Sequence, residues 1–157
     1  MITTACAADV LERVVVVLGA AEQEVRARVR FGRAEPLGCP EWQQGQASSL
    51  RCGVRALAGA TKVVVMLGDQ PQISTAAIAR VAAAPAPARA AYGGRPGHPV
   101  ALGPRQLAAV ERLSGDRGAR ALLGDALLVD CSDLGCDGDV DTIEDLEALA
   151  DEARAIV

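Results

Sequence analysis

Apolar residues gather in two unbroken runs, Val14–Leu18 and Val63–Leu67, each closed by a glycine. Neither run alternates with polar residues. A short β-branched run without alternation reads as a strand covered on both faces, as in a parallel sheet lying between helices. The patterns around these runs are helical. Thr4–Glu12 reads as a helix or its end, and Ala21–Arg30 places Val25 and Val29 on one face. Ala34–Pro40, broken by Pro36 and Pro40, fits a weak edge strand. The polar loop Glu41–Leu50 leads into a helix over about Ser48–Ala58, with Leu50, Val54 and Leu57 on one face. Ser74 or Thr75 caps a helix reaching about Ala84, and Ala90–Tyr92 reads as a strand. Gly93–Pro99 is a turn-rich loop before a short strand, Val100–Leu102. Pro104 suits the first position of a helix to about Leu113. A loop at Ser114–Gly118, a short helix near Ala119–Leu123 and a strand at Leu127–Val129 follow. The last helix, Ile143–Val157, puts Ile143, Leu146, Leu149, Ala150, Ala153 and Ile156 on one face. Strands alternating with helices predict a three-layer α/β/α fold with a mostly parallel sheet.

A length of 157 residues suits one domain, residues 1–157, with a substantial core. Half the chain is apolar, yet Phe31, Trp42 and Tyr92 are its only aromatic residues, so the core rests on Val, Leu, Ile and Ala. A formal charge of -4 without a Lys/Arg cluster argues against nucleic acid as a partner. No apolar run approaches the ~20 residues of a membrane helix, and the first residues lack the pattern of a secretion signal. Five cysteines, an odd number without Cys-x-x-Cys, and a single histidine, His98, support neither a disulfide framework nor a zinc site. The expectation is a cytoplasmic protein, away from membranes.

Three places offer chemistry. Asp69 stands just past the carboxyl end of a buried run, where open α/β sheets bind ligands, and its oxygens suit Mg²⁺. A plain turn-capping role explains it equally well. The segment Asp137–Asp145 is the most acidic. An EF-hand register starting at Asp137 fails, with Thr142 in place of the glycine and Ala148 in place of the glutamate. A capping box of Thr142 and Asp145 accounts for part of it and leaves Asp139 and Asp141 over. Ser48 and Ser49 stand at a helix entry, where free N–H groups receive anions, although an ordinary N-cap is the plainer reading. His98 holds its loop by hydrogen bonds, and Arg117 is a solvated loop cation.

Trp42-x-x-Gly45-x-x-x-Ser49-Leu50-x-x-Gly53, Leu67-Gly68-Asp69-Gln70-Pro71, Tyr92-Gly93-Gly94-x-Pro96-Gly97-His98-Pro99-Val100, Gly115-Asp116-x-Gly118-Ala119-Arg120 and Asp139-Val140-Asp141-Thr142 follow one another in order. Together they resemble the MobA-like nucleotidyltransferases, and within them the molybdenum cofactor cytidylyltransferase branch, over almost the whole chain from about Leu11. The resemblance implies a Rossmann-like nucleotidyltransferase fold. It also implies transfer of CMP from CTP to the phosphate of a molybdopterin acceptor, with Mg²⁺ as cofactor and pyrophosphate released. Nucleotide, CTP or GTP, and a molybdopterin-like acceptor are the implied partners. Asp69 and Asp141 match the family's magnesium-binding, catalytic aspartates, with Asp139 a further candidate ligand. Ser48, Ser49, Gly68, Gln70, Pro71, Gly94 and His98 fall in the matching substrate-binding stretches, with Gly94–Pro99 on the pterin side.

One departure sets an expectation of its own. The family opens with a strand and a glycine-rich loop ending in Arg-Met-Gly and a lysine, which wraps the triphosphate. Residues 1–12 correspond only to the helix after that loop, so a βα unit of about 30 residues has no match here. Activity of these residues alone is therefore in question, and a non-catalytic pterin- or partner-binding module is the alternative. In the family the unmatched strand lies between the two apolar runs. Both would then expose unpaired edges, which favours homo-oligomer formation through that edge.

Overall fold

The computed structural model describes residues 1–135 together with 138, 140, 142, 144, 145, 147 and 148. The first apolar run forms β1 (Val15–Leu18), between helices α1 (Ile2–Ala7) and α2 (Glu22–Arg28). The strand β2 (Glu35–Gly38) lies parallel to β1, Val15 opposite Glu35 and Leu18 opposite Gly38. The Glu35 N–H donates to the Val14 carbonyl and the Cys39 N–H to that of Leu18, both at 2.8 Å. Alternate residues of a parallel ladder turn to opposite edges. Pro36 therefore stands on the outer edge of β2, where its missing N–H costs nothing. By the same alternation Val15 and Val17 turn their backbone groups away from β2. No strand pairs with them among the described residues.

The second apolar run yields only a three-residue strand, β3 (Val63–Val65). It edges a separate sheet with β4 (Ala88–Tyr92), β5 (Arg95–Leu102) and β6 (Leu127–Asp130), in the order β3-β5-β4-β6. β5 is antiparallel to both β3 and β4, while β6 is parallel to β4. Thus β3, β4 and β6 end on the same side. Gly93 and Gly94, at φ of +57° and +77°, make the two-residue turn between β4 and β5. Consecutive positive φ values are what such a turn needs. The predicted loop Gly93–Pro99 is thus largely strand, because the hairpin supplies partners for a stretch whose prolines and glycines read as coil.

β5 shows why helices lie on both faces. Ala101 packs with Ile78 and Val81 of helix α4 (Thr75–Ala83), while Val100 and Leu102 pack with Val110 of helix α5 (Pro104–Val110). Helix α3 (Gln46–Ala56) sends Leu50 and Val54 to the α5 side. Its Gly53 faces β1, where a Cβ would lie 3.1 Å from Val17 Cγ2. α3 therefore joins the two sheets. The Ser74 hydroxyl caps α4 by accepting from the Ala77 N–H at 3.1 Å. No described helix is long and apolar enough to cross a membrane.

Other expectations change. α3 begins at Gln46 with Gly45 as its N-cap, so Ser48 and Ser49 lie inside its first turn and cap nothing. Cys39 and Cys52 form a disulfide with Cα atoms 6.0 Å apart. Parity and spacing do not foresee such a bond, because tertiary proximity sets it. Cys6 and the buried Cys131 remain thiols. Thr142 and Asp145 do form the capping box, the Thr142 N–H donating to Asp145 at 2.9 Å and the Asp145 N–H to Thr142 Oγ1 at 3.1 Å. The apolar face assigned to Ile143, Leu146, Leu149, Ala150, Ala153 and Ile156 lies outside the described residues.

A groove of about 490 Å³ separates β1 from β3, lined by Val14 and Val15 on one side and by Val63, Val64 and Met66 on the other. Arg13 and Lys62 flank it, each tied to a helix end. Arg13 donates to the Ala56 carbonyl at 3.1 Å, and Lys62 to the Ala82 and Ala84 carbonyls at 2.8 and 2.9 Å.

The entry to α3 is built by close backbone approach. Gly45 stands at φ 100° and ψ -179°, a region essentially reserved for glycine. A Cβ there would lie 2.5 Å from the Gly115 carbonyl carbon. The Ala47 N–H donates to the Gly115 carbonyl at 3.0 Å. Gly45→Ala is expected to cost about 3 kcal/mol or more, combining backbone strain with overpacking. Urea unfolding measures it, and a cost below about 1 kcal/mol would show that the Gly115 loop yields. In a monomer, the amides of Val15 and Val17 should exchange faster than those of Val16 and Leu18. Equal protection of all four would show that the edge of β1 is covered.

Candidate functional site

β3 ends at Val65, and the chain leaves through Met66 and Leu67 into the turn Gly68–Pro71 at the carboxyl end of the sheet. A Cβ at Gly68 would meet nothing within 4 Å, so this turn borders open space. Asp69 is exposed there, and its backbone carbonyl accepts the Val140 N–H at 2.8 Å. Ile73 also bridges Gly135 in antiparallel fashion. The chain beyond β6 therefore returns along residues 69–73. That return brings Val140 to the strand-end acid. The side chains of Asp139 and Asp141, either side of Val140, lie outside the described residues.

An exposed carboxylate whose donors are all oxygen suits a hard divalent cation such as Mg²⁺ or Mn²⁺. Among the described residues no group of three or more Asp, Glu, His or Cys side chains converges. Asp69 is thus the described residue that could hold such an ion, and further ligands would have to come from substrate oxygens or the segment around Val140. Its neighbours on the turn differ from it: Pro71 is exposed, whereas Gln70 is 4% exposed and belongs to the packing beneath.

The hairpin end of β4 and β5 borders the same side. Gly94 is exposed at its tip, and His98 lies on β5 two residues beyond Val100, the last residue paired with β3. The Tyr92 hydroxyl donates to the His98 carbonyl at 3.0 Å and so fixes the backbone there. Ser132 closes this end by accepting the Gly93 N–H at 2.9 Å. Its own hydroxyl donates to Asp130 at 2.5 Å. Hydrogen bonds from Ser132, side chain first and backbone next, hold the Asp130 carboxyl below its ordinary range. Arg80 binds the Asp130 carbonyl at 2.8 Å and the Asp133 carboxylate at 2.6 Å. The hydrogen bond from Arg80 likewise lowers Asp133. No motif pointed to Ser132, Asp130 or Arg80. Asp130 and Ser132 are near neighbours at the end of β6, but Arg80 and Gly93, far from them in sequence, reach them only because the fold sets β6 beside β4.

Ser48 and Ser49 occupy a different wall. Ser48 is 1% exposed, and its hydroxyl donates to the Gly45 carbonyl at 2.7 Å, so it braces the first turn of α3. Ser49 is half-buried beside it. Trp42 lies over the end of β1, where a Cβ at Gly19 would come 3.0 Å from its Cβ. The structure thus gathers Gly68, Asp69, Pro71, Gly94 and His98 at the carboxyl side of the larger sheet. The α3 entry and Trp42 belong to the smaller one.

The MobA-like NTP transferase domain matches residues 1–131. Nicotine blue oxidoreductase of Paenarthrobacter nicotinovorans is 34% identical over 151 residues, which cover 87% of this chain and 74% of that protein. Purine catabolism protein PucB of Bacillus subtilis (strain 168) is 34% identical over 120 residues, 71% of this chain and 58% of that one. Among solved structures, Rv0371c from Mycobacterium tuberculosis H37Rv superposes with a TM-score of 0.78 at 29% identity, over 95% of this chain and 80% of its own. The same protein in complex with manganese gives a TM-score of 0.72 at 29% identity, over 94% and 81%. A mixed sheet between helices and a family domain matched over residues 1–131 together assign the fold and the lineage: the chain belongs to the MobA-like NTP transferases, with their α/β, Rossmann-like nucleotidyltransferase fold.

Proposed function

We propose that this domain serves nucleotidyl transfer of the molybdenum cofactor cytidylyltransferase type, moving CMP from CTP to a molybdopterin phosphate. The observation that carries the reading is the bond between the Val140 N–H and the Asp69 carbonyl, which brings the chain at Val140 to the strand-end acid. In this reading an acceptor phosphate oxygen attacks the α-phosphorus of CTP. The bond to the bridging oxygen breaks, and pyrophosphate leaves with that electron pair. Asp69, with Asp141 and Asp139, would hold Mg²⁺, which when bound neutralises phosphate charge. Gly68 leaves room at the turn for a large polar substrate. Gly94 and His98 stand where the pterin would lie, and Ser49 faces the base and acceptor with Ser48 bracing it.

The triphosphate also needs a cradle of backbone donors and positive charge. The groove between β1 and β3 is the seat for the strand that the family places first, whose phosphate loop would follow at the carboxyl side, and the domain works as a single unit with them. Contact between copies through the same edge is the competing use of that surface.

An oxidoreductase reading follows from the name of one relative. The exposed carboxylate of Asp69 at the strand end favours the transfer reading, because it suits a metal-bound triphosphate and gives no help to a migrating hydride. The alternative of a pterin- or partner-binding module without chemistry is favoured by the open groove itself.

With the family's N-terminal unit fused, pyrophosphate release from CTP, molybdopterin and Mg²⁺ is expected, and Asp69→Asn should lower it by about 10²-fold or more. Residues 1–157 alone should be slower than the fusion by a similar factor. Full activity in Asp69→Asn would remove the metal-site reading. Robust activity of residues 1–157 alone would remove the need for the loop.

A further inference from the structure

The function above leaves one bond unused. Cys39 follows directly on β2 and Cys52 lies on α3, so their disulfide closes a loop that contains Trp42, the Gly45 cap and both Ser48 and Ser49. The loop covers the smaller sheet at its carboxyl side. Trp42 rests on Gly19 at the end of β1, and Ala47 is bonded to Gly115 at 3.0 Å. Its ends differ in access: Cys39 is 2% exposed, whereas Cys52 is half-buried on a helix that reaches the surface at Arg55. Attack on this disulfide is therefore directed to the Cys52 sulfur, with the buried Cys39 sulfur as leaving group.

We propose that Cys39–Cys52 is a reversible redox clasp, reduced by a dithiol, that sets the order of the Trp42–Ser49 wall. The exchange balances. One thiolate of the reductant attacks Cys52 Sγ, the S–S bond breaks, and Cys39 leaves as a thiolate that takes a proton. The second thiol of the reductant then attacks the mixed disulfide and frees Cys52 as a thiol. Two electrons and two protons pass to the protein, and the reductant ends as a disulfide. Oxidised, the loop is tied at both ends. Reduced, it keeps the turn at Gly45, the Ala47–Gly115 bond and the contacts of Trp42 but loses its covalent tie, so it opens locally more often.

The chain contains a single tryptophan, and it lies in this loop, which supplies a direct reporter. This inference does not rest on the transfer reading, since none of its readouts is activity. The full chain is equilibrated across ratios of reduced to oxidised dithiothreitol, with alkylation of free thiols, Trp42 fluorescence and amide exchange followed together. Expected are a loss of two thiols under oxidising conditions, mapped to Cys39 and Cys52, and a fluorescence change with the same midpoint. Exchange over residues 41–49 should be about tenfold slower in the oxidised form. Cys52→Ala should match the reduced protein at every ratio, and Cys131→Ala should keep the transition. Five thiols at every ratio would overturn the proposal. So would a bond that forms without altering fluorescence and exchange in the loop, or one that excess dithiothreitol leaves intact in the native protein. Should Cys52→Ala fail to fold, the alkylation map and exchange of the unsubstituted chain decide the matter alone.

Discussion

The backbone contact between Gly45 and Gly115 is the constraint on which the rest of the arrangement depends. It fixes where α3 starts, and α3 is the element that touches both sheets. Its Leu50 and Val54 join the core around Val100 and Leu102, while its Gly53 allows Val17 of β1 to approach. Any side chain at position 45 would push the helix start away from the Gly115 loop. That displacement would shift Ser48 and Ser49 and loosen the seam between the sheets. Interiors close-packed to crystal density leave little slack to absorb it.

This constraint explains how much was legible beforehand. The apolar runs located β1 and β3, because buried strands need side chains that suit both faces. They did not locate the ends. Met66 and Leu67 continue the apolar run of β3, yet they lie outside the strand because the pairing with β5 stops at Val65. Hydrophobicity reports burial, whereas strand length depends on a partner far away in sequence. The hairpin was missed for the opposite reason. Arg95-Pro96-Gly97-His98-Pro99 carries residues that usually break strands, but β4 and the Gly93–Gly94 turn make it one.

Asp69 was legible for a general reason, since the position past a buried strand's carboxyl end is where α/β sheets meet ligands. The contact that gives it company was not. The bond from Val140 to the Asp69 carbonyl arises only when the chain beyond β6 returns along Ile73. Ser132 was equally invisible, because its value lies in holding Gly93 and Asp130 at once. Local motifs mark residues able to do chemistry, and topology decides which of them meet. The cysteines make the same point: counting treats all five alike, while the fold pairs Cys39 with Cys52 and buries Cys131.

The smaller sheet follows from these connections. Two strands alone are marginal in water, and the far edge of β1 meets no strand among the described residues. What holds them is the surrounding material. Ala5 of α1 packs with Val14 and Ala34, Leu11 and Met66 join that cluster to the core of the larger sheet, and α3 covers β1 from its own side. The exposed pair Arg13–Glu35, 2.8 Å apart, adds little at the start of the ladder. The disulfide lies at the opposite end of β2, where Leu18, Cys39, Ala47 and Ser48 are buried around the start of α3. Order at the carboxyl side of β1 and β2 therefore rests on that burial, on Trp42 against Gly19, on the Gly45 turn and on the Cys39–Cys52 bond, which ties α3 covalently to the end of β2.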